Sequence, residues 1–340
     1  MMPEMGPPPR PVFSSDEEYE ASLRDSAFWE PYARAALREA GLPDEGDVVT
    51  HFPTTHVSAV VGSRYFVKLH YEDWFGEECF QTERAFYRAS RGSRLPIPDL
   101  LAEGALYEGE GWRWPFLVLT AMPGRDLRSV GEGVDRGSME RVATFAGAVM
   151  RELHDLRMEE TEPLKPSTYT ELIRERTAKS QRDHLAWGSL PERLALQIRD
   201  YLWERRDLVD PERSPRKPIH GDLHRGNLFV DVSERGLEPT GIVDFNDLRV
   251  GDPHYDLVSL HIGMFRTDKA LLRIALDAYG WALPEQDWVD RMMGFTLVHD
   301  YDMIQHVVSE YPGALEKART LDEVADLLWN LDALGPAELE

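Results

Sequence analysis

The chain has 340 residues, with 61 acidic against 38 basic side chains and a formal net charge of −23. That length exceeds one ordinary hydrophobic core and suits two domains or one bilobal unit. The acidic balance argues against nucleic acid or an anionic membrane as partner and fits a cationic ligand, or mere solubility. Cys79 is the only cysteine, which excludes intrachain disulfides and cysteine-rich zinc sites and fits a reducing compartment. Residues 1–11 are rich in Pro and Gly without a basic segment leading into an apolar one, so they do not read as a signal peptide. No stretch is long and apolar enough to span a bilayer; a soluble, cytoplasmic protein is expected.

In chain order, residues 1–13 read as a loose, disordered tail. Ser14-Ser15-Asp16-Glu17-Glu18 then supplies a cap and an acidic first turn for a helix. Helical pattern runs to about Ala40, with an interruption expected near Pro31. The β-rich runs 57–61 and 65–69 flank Gly62-Ser63, a hairpin signal. A helix follows over about 74–90, then strands over 100–103 and 115–120. Met122-Pro123-Gly124-Arg125 reads as a hinge. Beyond it the pattern is helical, over 138–157, 168–184, 191–208, 255–264, 269–279 and 287–308. The exception is a Pro- and Gly-bounded insert, 218–244, with strands over 228–232 and 240–245. The expected fold class is α+β and bilobal: a β-rich lobe with leading helices over 14–122, and a larger helical lobe over 123–340.

The segment His220-Gly221-Asp222-Leu223-His224-Arg225-Gly226-Asn227 sits between a turn at Pro218 and an apolar strand, with Asp222 and Asn227 five apart. Phosphoryl transfer needs a carboxylate beside the attacking hydroxyl and an amide oxygen nearby to hold Mg²⁺. In Gly241-Ile242-Val243-Asp244-Phe245-Asn246-Asp247 an apolar strand ends in a carboxylate. Asp244 is thus a natural second Mg²⁺ ligand, because hard cations prefer oxygen donors on a rigid support. Three other readings compete. Asp222 and Asn227 serve as turn residues; His220, Asp222 and His224 hold a transition metal from one face of an extended segment; Asp244 is only a cap. The pairing of the two motifs favours phosphoryl transfer over all three.

His220-x-Asp222-x-x-x-x-Asn227 followed by Ile242-Val243-Asp244-Phe245 resembles the catalytic and metal loops of aminoglycoside phosphotransferases and, more distantly, of protein kinases. The resemblance implies a bilobal kinase-like fold, with Asp222 orienting the acceptor hydroxyl and Asn227 and Asp244 holding Mg²⁺. ATP is the expected donor, with GTP an alternative. It also implies an upstream lysine and a helix glutamate. Lys68 lies mid-strand with Tyr65, Val67 and Leu69 on the opposite face. Glu83 interrupts the apolar helix stripe Cys79, Phe80, Phe86 and Tyr87, and a buried carboxylate needs a partner; the two are the candidate ion pair that grips the nucleotide. No G-x-G-x-x-G precedes Lys68; the Gly-poor loop His51-Phe52-Pro53-Thr54-Thr55-His56 makes Thr54 and Thr55 nucleotide candidates. Thr120, Ala121 and Met122 would be the hinge that meets the base. His220 and Asp256 are expected in structural roles, Asp256 bracing the catalytic loop.

Within the family, residues 25–31, 220–224 and 295–301 look most like hygromycin B phosphotransferases of the 7''-hydroxyl type. That implies a cationic acceptor bound by acidic groups, for which Asp247, His299, Asp300 and Asp302, with Glu310, are candidates, and a resistance role, acting as a monomer. A kinase for another hydroxylated metabolite is the second reading and a non-catalytic binding protein the third, although intact Lys68, Asp222, Asn227 and Asp244 speak against the latter.

Overall fold

The computed structural model of the chain describes residues 7–51, 54–108, 112–131, 133–158, 168–283, 285–333 and 335–336. Two helices lead the N-terminal lobe, α1 (Asp16–Ser22), capped by the Ser15 side chain, and α2 (Ser26–Glu39), capped by Asp25. The sheet is built from β1 (Val48–Thr50), β2 (Val57–Val61), β3 (Tyr65–Leu69), β4 (Leu100–Leu106) and β5 (Trp114–Thr120). These five strands pair antiparallel in the order β1-β2-β3-β5-β4.

Strand alternation decides what each face does. Val57, Ala59, Val61, Val67, Leu69, Phe116 and Val118 pack with Trp29, Ala33, Ala36 and Leu37 of α2 in one core. Ser58, Val60, Phe66 and Lys68 point the other way, into the cleft between the lobes. Helix α3 (Gly76–Ala89) packs on β4 and β5 and sends Phe86 and Tyr87 into the second, larger core.

The C-terminal lobe begins at β6 (Arg125–Asp126), which pairs with β8 (Leu228–Ser233), itself paired with β9 (Gly236–Ile242). The hinge ahead of β6 lies so close that a Cβ on Gly124, at φ +85°, would stand 2.1 Å from the Val230 carbonyl oxygen. A side chain there would push the hinge off the sheet. Strands β7 (Lys217–Ile219) and β10 (Arg249–Gly251) form a second small pair. Around them lie α4 (Arg136–His154), α5 (Tyr169–Trp187), α6 (Glu192–Ala195), α7 (Ile198–Glu204), α8 (His254–Val258), α9 (Lys269–Tyr279), α10 (Trp288–Leu297), α11 (Met303–Glu310) and α12 (Leu321–Trp329). None of the described helices is long and apolar enough to cross a membrane.

Several expectations need correction. Residues 8–13 belong to the folded lobe: Tyr107 and Tyr32 hydroxyls donate to the Pro8 and Pro9 carbonyls, Arg10 pairs with Glu72, and Phe13 meets Tyr19 edge-on at 5.3 Å. Residues 1–6 of the expected tail lie outside the described residues. Helix α2 runs straight through Pro31. A proline there costs about 3 kcal/mol, which the burial of Trp29, Tyr32, Ala33, Ala36 and Leu37 offsets. The helix expected over 287–308 is two, because Asp302 caps a new start at Met303, and that over 191–208 is broken into short pieces. The helix expected over 255–264 changes to π geometry at Ser259–Met264. Strand β9 ends at Ile242, so Asp244 and Phe245 stand on a loop.

Helix α8 is pinned by His254, whose Nδ1 lies 2.6 Å from Asp252 and whose Nε2 lies 3.0 Å from Glu285; Arg291 also touches Glu285, at 3.2 Å. Burial alone would lower the imidazole pKa, but the two carboxylates overcome it and raise it above its ordinary value. This contribution to stability is therefore complete below the unfolded value of about 6.5 and is lost as pH rises through the higher folded value. The stability gap between wild type and His254→Gln, measured by denaturant unfolding, is expected to be largest near about pH 6 and to narrow toward about pH 9. A gap independent of pH would show that the charge of His254 contributes nothing.

Candidate active site

The loop between β7 and β8 carries Asp222 and is held from below by Asp256 on α8. The Asp256 carboxylate accepts the backbone N–H of His220 at 2.8 Å and of Gly221 at 2.7 Å, and His154 Nε2 lies 3.0 Å away. Burial would raise the Asp256 pKa, but these donors hold it below the usual carboxylate range. Asp256 thus sits where the sequence expected a brace. His220 has no exposure; its Nε2 donates to the Val243 carbonyl at 3.1 Å, and its ring lies 4.9 Å from that of Phe245. The Leu223 amide donates to Ser259 Oγ at 3.1 Å, and Asn227 Nδ2 donates to the Asp222 carbonyl at 2.9 Å. The loop is closed on itself with the Asp222 side chain left facing the cleft.

The second loop meets the first through Val243, whose amide donates to the Asn227 carbonyl at 3.0 Å. Asp244 follows with φ +69°, a left-handed conformation that turns the chain sharply. Its Oδ1 lies 3.0 Å from Lys68 Nζ, and Lys68 is in turn 3.0 Å from Glu83. Glu83 is fully satisfied: its Oε2 also meets His70 Nε2 at 3.0 Å, and its Oε1 accepts the Phe245 amide at 3.2 Å. Phe245 stacks on Phe86 of α3 with ring centroids 3.8 Å apart. The ion pair expected between Lys68 and Glu83 therefore forms, and it is tied directly to the loop of Asp244.

Lys68, Glu83, Asp222, Asn227 and Asp244 line one cleft of about 870 Å³, which also takes in Thr54, Thr55, Phe66, Leu119, Met122, Arg128 and Phe229. Its electrostatics are asymmetric. Burial opposes the charge on Asp244, but Lys68 prevails and lowers its pKa. Burial also opposes the Lys68 ammonium, but Asp244 and Glu83 raise its pKa. Asp222 has no such ion pair with a lysine or arginine among the described residues: burial, then the charges of Asp247 and Asp244, push it well above the carboxylate range against the pull of Arg128. The exposed 23 % of its side chain and any cation brought into the cleft act in the opposite direction. His224 Nε2 is 3.5 Å from Asp222, and burial with Arg128 lowers that imidazole to about 4, so it is neutral.

The donor set suits Mg²⁺. Asp244 commits one carboxylate oxygen to Lys68, and the Asn227 amide nitrogen is committed to Asp222, which turns the amide oxygen the other way. An oxygen from each, on adjoining loops, matches the preference of a hard cation. Among the described residues no cluster of three or more His, Cys, Asp or Glu forms a metal site. The transition-metal alternative fails because His220 is buried with both nitrogens engaged, Nδ1 accepting from the Asp222 amide.

The remaining expected residues divide. Thr54 and Thr55 line the cleft, but the Thr54 hydroxyl donates to the His56 carbonyl at 2.8 Å, within the loop itself. Phe52 and Pro53 of that loop lie outside the described residues. Thr120 and Met122 also line the cleft. The Thr120 amide donates to the Asp99 carbonyl, its hydroxyl accepts from the Asp99 amide, and the Ala121 amide donates to Arg64, so these groups are spent within the sheet. Of the residues expected to meet the acceptor, Asp247 accepts from the Tyr301 hydroxyl at 2.8 Å, and Asp300 lies 3.9 Å from Arg249. Three expected contacts are corrected. His299 is fully buried, stacked on Tyr255 at 4.5 Å. Asp302 caps α11 and accepts from Ser189. Glu310 is paired with Arg266.

His70, His154, Tyr301 and Arg128 were not expected. His154 carried a legible signal, since it interrupts the buried stripe Val142, Ala146, Met150 and Leu153 of α4 as Glu83 interrupts that of α3.

A β-rich lobe closing a polar cleft against a helical lobe, with a lysine–glutamate pair above and two carboxylate-bearing loops below, defines a kinase-like phosphotransferase fold. The sequence pattern of the phosphotransferase enzyme family (APH) matches residues 50–290, and the chain belongs to that family. Solved structures of similar fold include the GDP complex of wild-type aminoglycoside 2'-phosphotransferase-IIIa. It is 18% identical with a TM-score of 0.60, covering 88% of this chain and 98% of that one. Others are the GDP and kanamycin complex of APH(2")-IIIa, at 18% identity and TM-score 0.60 over 86% and 98% of the two chains, and the streptomycin–ATP complex of APH(2")-IIa, at 16% and 0.50 over 93% and 99%. Part of the lysine-specific demethylase JMJ21 of Arabidopsis thaliana is 22% identical over 278 residues, 64% of this chain; the chain spans 29% of that protein's length.

Asp256→Asn keeps the shape but sets an amide N–H₂ against backbone and imidazole donors. It is expected to cost about 3–5 kcal/mol of stability, the usual penalty for breaking a buried charged network, read as a fall in the unfolding midpoint. A change within about 0.5 kcal/mol, typical of a surface site, would show that the loop is held by other contacts.

Proposed function

We propose that the chain transfers the γ-phosphoryl group of ATP, or GTP, to a hydroxyl of a cationic aminoglycoside, with hygromycin B the first acceptor to test. The carrying observation is the convergence of Lys68, Asp222, Asn227 and Asp244 on one cleft. In this reading Asp222 orients the acceptor hydroxyl and takes up its proton at a carboxylate oxygen. Lys68, held by Glu83, meets the α- and β-phosphates. Asn227 and Asp244 would hold Mg²⁺, which when bound neutralises charge on the phosphates. Thr54, Thr55, Thr120 and Met122 form the walls around the nucleotide. Because the transition state is loose, positioning by these residues contributes more than proton removal. Kanamycin and streptomycin complexes of proteins with this fold support an aminoglycoside acceptor, as does the net charge of −23.

A kinase for another hydroxylated metabolite is the second reading. It is favoured by the loss of His299, Asp302 and Glu310 from the expected anionic pocket, which leaves Asp247 and Asp300 near the catalytic loop.

ADP formation measured against hygromycin B, kanamycin, spectinomycin and a set of amino alcohols separates the two. Turnover confined to the non-aminoglycosides would overturn the first reading. With the true acceptor, Asp222→Ala is expected to lower kcat by roughly 10² to 10⁴, the usual size of an acid–base contribution, while ATP still binds. Asp244→Ala is expected to abolish Mg-dependent nucleotide use. Full activity in either variant would show that the residue has been given the wrong role.

A further inference from the structure

Kinase-like folds commonly bring backbone close to the nucleotide phosphates with a glycine-rich loop, but residues 51–57 contain no glycine. The described part of this loop is held by side chains instead. Its ends are drawn together by the His51 amide, which donates to the Ser58 carbonyl at 2.7 Å. From α1, the Tyr19 hydroxyl donates to the Thr55 carbonyl at 2.9 Å. From the end of β3, the Tyr71 amide donates to His56 Nδ1 at 3.2 Å. Tyr19 and Tyr71 stack on each other at 4.1 Å with planes 14° apart, which closes a ring of contacts around Thr55 and His56.

Helix α1 is itself anchored. Trp29 Nε1 donates to the Ser22 carbonyl at 2.8 Å, and Phe13 packs edge-on to Tyr19. Tyr19 is only 1% exposed, yet Tyr19, Glu20 and Leu23 form part of the wall of the cleft that holds Lys68 and Asp222. Burial keeps the Tyr19 phenol protonated far above the working range of pH, so it is a permanent donor.

We propose that α1 is a fixed clamp on the phosphate-side loop and that Tyr19 is a positioning residue for nucleotide binding, its hydroxyl holding Thr55 in place where other kinase-like folds use glycines. Holding Thr55 in place before the nucleotide arrives lowers the entropic cost of binding. This rests on the reading of the cleft as a nucleotide site.

Tyr19→Phe removes only the hydroxyl and keeps both ring contacts. Tyr32→Phe is the control: it deletes another buried hydroxyl of the same lobe, one that donates to the Pro9 carbonyl at 2.8 Å and is remote from the cleft. Binding of Mg-ATP without acceptor is measured by calorimetry, binding of adenosine by displacement of Mg-ATP, and stability by thermal unfolding. A hydrogen bond of ordinary strength corresponds to roughly a three- to tenfold weakening. Tyr19→Phe is expected to weaken Mg-ATP by that factor and to leave adenosine, which has no phosphates, unchanged. Tyr32→Phe is expected to leave both affinities at the wild-type value while losing a similar amount of thermal stability. Equal Mg-ATP affinity for Tyr19→Phe and wild type would overturn the clamp, and so would parallel losses for ATP and adenosine or for the two variants. Absence of saturable Mg-ATP binding to the wild type would instead overturn the nucleotide-site reading on which the clamp rests.

Discussion

A carboxylate with 1% exposure, Glu83, sets the conditions for the rest of the cleft. Withdrawing such a charge from water costs several kcal/mol unless donors replace the solvent. Here they come from three places: the Lys68 ammonium on β3, the His70 imidazole just beyond it, and the Phe245 amide of the opposite loop. The need to satisfy one side chain therefore fixes the register of α3 against β3 and draws the loop of Asp244 up to the sheet. Stacking of Phe245 on Phe86 adds apolar area to the same contact.

The C-terminal lobe repeats the device. Asp256 has no exposure and takes the His220 and Gly221 amides, just as Glu83 takes that of Phe245. In both lobes a buried helix carboxylate grips the backbone within two residues of a cleft carboxylate, so that the Asp222 and Asp244 side chains face the cleft. The two then diverge electrostatically: Lys68 lowers Asp244, while burial and neighbouring carboxylates raise Asp222. Two carboxylates whose surroundings push their pKa values apart are suited to different tasks.

The residues expected to meet the acceptor show why a charge count misleads. Acidic residues are abundant, but many are consumed by the fold: Asp25, Asp135, Asp268 and Asp302 each cap a helix, and Glu310 pairs with Arg266. What faces the loop of Asp222 is narrower, an Asp247 carboxylate accepting from Tyr301. Its neighbourhood depends on the chain breaking between α10 and α11, where continuous periodicity in the sequence suggested one helix.

The sequence by itself determined the two loop motifs, the alternation that puts Lys68 on the cleft face of β3, and the interrupted stripe that demands a partner for Glu83. These follow from local chemistry: strand pleat, helix period and the cost of an unpaired buried charge. Only the tertiary structure decided that Asp244 shares Lys68 with Glu83, that His154 stands behind Asp256, that α2 continues through Pro31, and that His299 is buried. Each of those is settled by which distant segments meet and how much apolar surface they cover together. A partner 102 residues away, as for His154 and Asp256, leaves no periodicity at either end from which the pairing could be read.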